Sequence, residues 1–197
     1  MLLQSLKGVA GEFRENELVY LALTSKVEHP LRDRWAFALH EKLEKRNVYV
    51  AREWKRRVDL AIVEKNGDPL FLVELKAMYT FDAILGGGRS GKEMIKFLNE
   101  DMGKRKDLAI RGKTRILGVL LVTHPKEEIS DELRGILKYW QGVNSAFTRL
   151  GSEVEIARVA KTEIEDFLGR DRIIKRGVLA GGSAFGIETD IFYWVIE

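Results

Sequence analysis

Two acids and a lysine, Asp59, Glu74 and Lys76, are the residues whose types and spacing promise chemistry. They sit in two apolar runs of strand formers, Val58-Asp59-Leu60-Ala61-Ile62-Val63 and Leu70-Phe71-Leu72-Val73-Glu74-Leu75-Lys76, with Asn66-Gly67 between them. Asn-Gly flanked in this way predicts a β-hairpin closed by a two-residue type I′ turn. Pro69 is tolerated at the first position of the second strand, where no ladder donor is needed. That turn sets Lys65 opposite Asp68, Val63 opposite Leu70 and Asp59 opposite Glu74. The two acids then share one face of the hairpin, with Cβ atoms about 5 Å apart. Lys76, two residues beyond Glu74, falls on the same face.

Carboxylates that close repel each other, and in a shielded site both cannot ionise cheaply. A divalent cation resolves the conflict, and oxygen ligands from two acids, phosphate and water suit Mg²⁺. A neighbouring lysine can orient or deprotonate a metal-bound water for attack on phosphorus. The chemistry depends on register, because a one-residue slip turns one acid to the other face. The bland alternative is a solvent-facing sheet on which Lys76 merely neutralises two surface acids. Against it, Ala61, Val63, Leu70 and Leu72 are expected on the acidic face, and that much hydrocarbon calls for a cover.

The elements around the hairpin must hold it in place. Leu31, Trp35, Ala38, Leu39 and Leu43 recur at helical spacing, predicting a helix over residues 31–46 after a loop at 25–30. A short strand at 48–50 leads into the hairpin. Residues 80–92, with Gly86-Gly87-Gly88 and Gly91, read as a loop, followed by an amphipathic helix over 92–110 and a buried strand over 115–123. Beyond these come a helix over 130–150, a strand at 154–159, a short helix at 162–168 and two strands around Gly181-Gly182. The fold class expected is α/β, with a mixed central sheet flanked by helices in a single domain, 1–197.

An Asp in a hydrophobic strand, a turn, then Glu-x-Lys in the next strand, framed by helices, resembles the PD-(D/E)XK nuclease superfamily, the restriction-endonuclease-like fold. The matching residues are Val58-Asp59 and Glu74-Leu75-Lys76, and the resemblance covers roughly residues 31–123, leaving 130–197 as a C-terminal αβ extension. Val58 stands where the family usually has proline. The resemblance implies a nuclease that hydrolyses DNA phosphodiesters, with Asp59, Glu74 and the Leu75 carbonyl holding Mg²⁺ (Mn²⁺ substituting) and Lys76 positioning the water. It also implies polar contributions from the flanking helices. Asp101 and Arg105 in the second helix are candidates for an accessory ligand or phosphate clamp, with a plain i,i+4 ion pair as their ordinary role. Glu41 is a weaker candidate on the first helix, since it falls off the apolar face.

Charge is distributed to suit a polyanion. The chain of 197 residues has 33 basic and 30 acidic residues, a net charge of +3. Residues 42–57 hold seven basic and two acidic side chains, and residues 104–115 six basic and one acidic. Arg52, Lys55, Arg56 and Arg57 before Asp59, and Arg89, Lys92, Lys104 and Lys106 after Lys76, are the candidate DNA-binding residues. RNA and a homodimer are left open as partners. A module with the same fold that binds without cutting is the alternative.

A second alternative is an NTPase. Gly86 to Lys92 fits the start of a phosphate-binding loop, yet Glu93 stands where a Ser or Thr should meet Mg²⁺. The three histidines are isolated and cysteine is absent, which argues against zinc and disulfide chemistry. The longest apolar stretch, 116–122, is far too short to span a bilayer, and the apolar start soon meets Lys7. A cytoplasmic protein without a membrane is expected.

Overall fold

The computed structural model describes residues 2–86 and 90–197, the side chain of residue 180 excepted. Six strands form one mixed sheet in the order β1-β2-β3-β4-β6-β5: β1 (Val48–Glu53), β2 (Val58–Glu64), β3 (Pro69–Tyr79), β4 (Arg115–Pro125), β5 (Ile173–Ala184) and β6 (Ile187–Ile196). Only β3 and β4 run parallel. A parallel pair needs a long crossover, and the segment between them supplies it with two helices, α5 (Thr80–Leu85) and α6 (Gly91–Lys104). Strand β6 lies against β4, so the C-terminal region extends the same sheet.

Helices α1 (Leu2–Gly8), α2 (Glu17–Thr24) and α3 (Glu28–Leu43) cover one face, where Trp35, Leu39, Leu60, Val73, Leu75 and Val119 share a core. On the other face α6 and α8 (Glu153–Leu168) pack Leu98, Met102, Ile164 and Leu168 against Met78, Leu120 and Trp194. Gly118 lets α6 approach β4 closely: a Cβ there would lie 2.5 Å from Met102 Sδ. Helix α7 (Trp140–Leu150) closes the end of the sheet beyond β3.

Several elements differ from the sequence expectation. Helix α3 begins at Glu28, inside the supposed loop, because proline is tolerated in a helix's first turn and Pro30 sits there. The supposed loop at 80–92 contains α5. The second helix stops at Lys104, and a 3-10 turn (Arg105–Leu108) follows. The helix expected over 130–150 is broken: Gly135 and Tyr139 have positive φ, and regular helix starts only at Trp140.

The strand at 154–159 is instead the first half of α8, which Ser152 caps by accepting a hydrogen bond from the Glu155 N–H at 3.3 Å. Val154-Glu155-Ile156 passes as strand alternation, but Ile156, Ala160, Ile164 and Leu168 form one buried stripe at helical spacing. Gly181-Gly182 lies within β5, and the final turn is Phe185-Gly186, both with positive φ.

Candidate active site

The register that the chemistry requires is present, reached by another route. Only Gly67 of the Asn-Gly pair has positive φ, so the turn is not type I′. Gly67 donates its N–H to Glu64 O at 2.8 Å, and Glu64 donates to Asp68 O at 2.8 Å, a three-residue loop with a glycine bulge. This pairs Val63 with Pro69, and a second irregularity at Ile62/Val63 restores Ile62–Phe71, Ala61–Leu72 and Leu60–Val73. Continued one step, the ladder sets Asp59 across from Glu74. The second irregularity also moves Leu70 off the acidic face, where Ala61, Val63 and Leu72 remain, and onto the α1–α3 core.

Beyond Val73, β3 outruns β2. Its N–H groups on that edge would be orphans, and buried orphans are costly. Three carboxylates take them in turn. Leu75 N–H donates to Asp59 Oδ2 at 2.8 Å, Ala77 N–H to Glu28 Oε2 at 3.2 Å and Tyr79 N–H to Asp82 Oδ2 at 2.8 Å. The Leu75 carbonyl lies on this same edge, since N–H and C=O of one strand residue point the same way.

Glu28 is therefore the helix acid at the site. Glu41 is exposed, thirteen residues and about 20 Å further along α3. Reading residues 25–30 as a loop hid Glu28. An acid two residues before a first-turn proline is the signal that finds it.

Each acid also faces a cation. Glu74, 2% exposed, accepts a hydrogen bond from Arg105 Nε, and Arg105 Nη1 reaches Arg56 O at 2.9 Å. Arg105 can turn to Glu74 because α6 ends just before it. Lys76 Nζ lies 2.8 Å from Asp101 Oδ2, and Lys104 holds the other oxygen at 2.8 Å. Asp101 and Arg105 thus serve β3 and not each other. Arg32, a buried arginine on α3 that sequence reading missed, lies 2.9 Å from Glu53 and 3.7 Å from Asp59 Oδ1. Its only sequence signal is a charge beside the apolar stripe.

Burial, with help from Asp59 and Asp101, pushes the Glu74 carboxyl up to about 7 against the pull of Arg105. Burial also raises Glu28, and takes Asp82 to about 6 against the Tyr79 N–H and Lys26. For Lys76 burial works toward neutrality, but the Asp101 hydrogen bond and the charges of Glu28, Asp101 and Asp59 outweigh it and leave its pKa raised. Lys76 is therefore an ammonium at neutral pH. It can orient and stabilise negative charge, and it does not act as a base.

The basic residues are spread over several elements, and of the described ones expected to bind DNA only Lys104 lines the groove at Lys76. Arg52 pairs with Asp33 at 2.8 Å, Arg56 with Asp107 at 3.2 Å and Arg57 with Glu53 at 3.6 Å, all well exposed. Lys55 lies over the Trp54 ring. Arg52 lies in β1, and Lys55, Arg56 and Arg57 belong to the tight connection between β1 and β2, α4 (Trp54–Arg57), in and beside which Glu53, Arg56 and Arg57 have positive φ. Each such residue costs about 1–3 kcal/mol. Lys92 lies over Phe167, Lys104 and Lys106 are exposed, and Arg89 falls outside the described residues. A groove of about 430 Å³ runs over Lys76, lined also by Lys26, Glu28, Met94, Asp101 and Lys104.

The donor set is all oxygen: Asp59, Glu74, Glu28 and the Leu75 carbonyl. That suits Mg²⁺ or Mn²⁺ and no softer ion. Among the described residues no three acids or histidines converge as a ready cage. An ion here would compete with Arg105 for Glu74. No family model matches the chain, and neither a curated protein nor a solved structure matches it. Among the described residues no helix is long and apolar enough to cross a membrane.

Proposed function

We propose that this chain is a Mg²⁺-dependent nuclease acting on DNA phosphodiester bonds. The observation that carries the reading is the edge of β3. Asp59 and Glu28 cap its free N–H groups beside buried Glu74, and Lys76 lines the adjoining groove, where Lys26 and Lys104 stand among Glu28, Glu100 and Asp101. The order helix, three antiparallel strands, crossover helix and parallel strand supports the restriction-endonuclease-like form of this reading.

In this account Asp59, Glu74 and the Leu75 carbonyl hold the ion, with Glu28 beside them. Mg²⁺ bound there supplies a Lewis acid for the phosphoryl oxygen and a water of lowered pKa. Lys76, held by Asp101, presents its ammonium to the attacking water and to the charge developing on phosphate. Asp101 fixes the lysine's direction, so its part is positioning. Lys26 and Lys104 neutralise neighbouring phosphates, and the strained basic turn with Arg52 and Lys55 extends that field along the strand.

The test is cleavage. Plasmid, branched and single-stranded DNA are incubated with Mg²⁺ or Mn²⁺ and either the wild-type chain or Glu74→Ala. Cutting by the wild type and a loss of at least 100-fold in the variant is the expected result. Equal products from both refute the assignment.

A catalytically silent binding module is the second reading, favoured by the buried Arg105–Glu74 pair, which already neutralises the acid. It predicts salt-sensitive DNA binding with no cutting. The NTPase alternative loses ground, because α5 intervenes between β3 and the glycine segment where a phosphate-binding loop follows directly on a strand.

A further inference from the structure

Next to the Lys76 groove, further along β3, lies a second cavity of about 380 Å³, and the two share Lys26 and Met94. Three aromatic residues line it together with Val27, Ala77 and Met78. The Tyr79 ring centroid lies 5.4 Å from that of Phe81 and 4.9 Å from that of Tyr139, and Phe81 and Tyr139 are 5.9 Å apart. Asp82 supplies the polar group. Its Oδ2 accepts the Tyr79 N–H, and its carboxylate lines the cavity. Tyr139 has φ of 64°, a conformation that a bulky side chain adopts only where its surroundings hold it. Tyr139 is 38% exposed and lines the cavity beside the candidate active site.

We infer that this cavity receives one unpaired nucleobase of the strand whose phosphate lies at Lys76. The inference rests on the nuclease reading for its choice of occupant. Three features fit a base. Tyr139, exposed and packed on Tyr79 and Phe81, offers a ring on which any base can stack. A carboxylate oxygen of Asp82 accepts an exocyclic amine or ring N–H. Lys26, at the junction of the two cavities, meets the phosphate between them.

Size and spacing limit the occupant further. The volume is at the low end for small-molecule pockets, room for one nucleoside and too little for a base pair. Lys76 lines the first cavity and Ala77 and Met78 line the second, one and two strand residues on, about 3–7 Å. An intact duplex cannot reach inside without unstacking a base, so the favoured substrate is a single strand, a splayed end or a flipped nucleotide.

The test uses the full chain without divalent metal and an oligonucleotide carrying 2-aminopurine, as a single strand and as a blunt duplex. The wild type should bind the single strand at least tenfold more tightly and quench its fluorescence. Tyr139→Ala should bind about tenfold more weakly and lose the quenching, as loss of one stacked base predicts. Tyr139→Phe keeps the ring and should retain both. Equal affinity for the two DNAs, or quenching unchanged in Tyr139→Ala, overturns the inference. The nuclease reading fails separately: quenching by a chain that cuts nothing in Mg²⁺ leaves the base pocket standing, and cutting without quenching removes only the pocket.

Discussion

The two edges of β3 differ sharply in what they hold. Toward β4 the strand is paired continuously from Phe71 to Tyr79, in a parallel register deep in the sheet. Toward β2 the ladder stops at Val73, and Asp59, Glu28 and Asp82 take the next N–H groups on that edge. One side is satisfied by backbone, the other by carboxylates, two of which also face a side chain, Asp59 with Arg32 at 3.7 Å and Glu28 with His29 at 3.9 Å. A short neighbouring strand is enough to turn a structural edge into a candidate site.

The comparison is sharpest between two substitutions. Arg105→Ala leaves buried Glu74 without its cation and should cost about 3–5 kcal/mol in urea denaturation at pH 8. Leu121→Ala, in the fully buried part of β4, should cost a similar 2–5 kcal/mol through its cavity. Only the first should depend on pH, shrinking toward pH 5 as Glu74 protonates. Equal pH dependence in the two variants would break the contrast.

A smaller effect follows from Glu74 itself. Its folded pKa of about 7 lies above its ordinary value of 4.5, so the folded chain binds more protons than the unfolded chain between those values. Its contribution is therefore unfavourable above pH 7 and relieved as pH falls toward 4.5. Glu74→Gln should remove this slope, measured by denaturation at several pH values in the absence of divalent metal, although it leaves buried Arg105 without its counter-charge. A wild-type slope that survives the substitution would assign it elsewhere.

The smallest effect lies far from the site. Ser152→Ala removes the cap of α8 and should cost about 1 kcal/mol by thermal unfolding, with DNA binding unchanged. A loss of DNA binding there would tie α8 to the interface.

Sequence alone carried the hairpin, the Asp59–Glu74 register and the helix that crosses from β3 to β4. The register was legible because two irregularities cancel: the glycine bulge at 67 shifts the pairing by one and the break at Ile62/Val63 shifts it back. No local signal announces such a cancellation. Glu28 was hidden because Pro30 looked like a helix's outer boundary while it lies in the first turn. Arg105 looked like a helical ion-pair partner because a helix over 92–110 runs past Gly103 and the basic run that mark the end of α6 at Lys104. Residues 153–159 satisfied both a strand and a helix pattern, and only the stripe running on to Leu168 separates the two.

The central claim is that the acids on the freed edge of β3 hold one divalent cation. Titration of Mn²⁺ into the chain, followed by electron paramagnetic resonance at pH 8, tests it most directly. The account predicts one Mn²⁺ per chain, weaker at pH 6, and at least tenfold weaker in both Asp59→Asn and Glu74→Gln. Binding that neither substitution alters, or no stoichiometric binding at all, would contradict it.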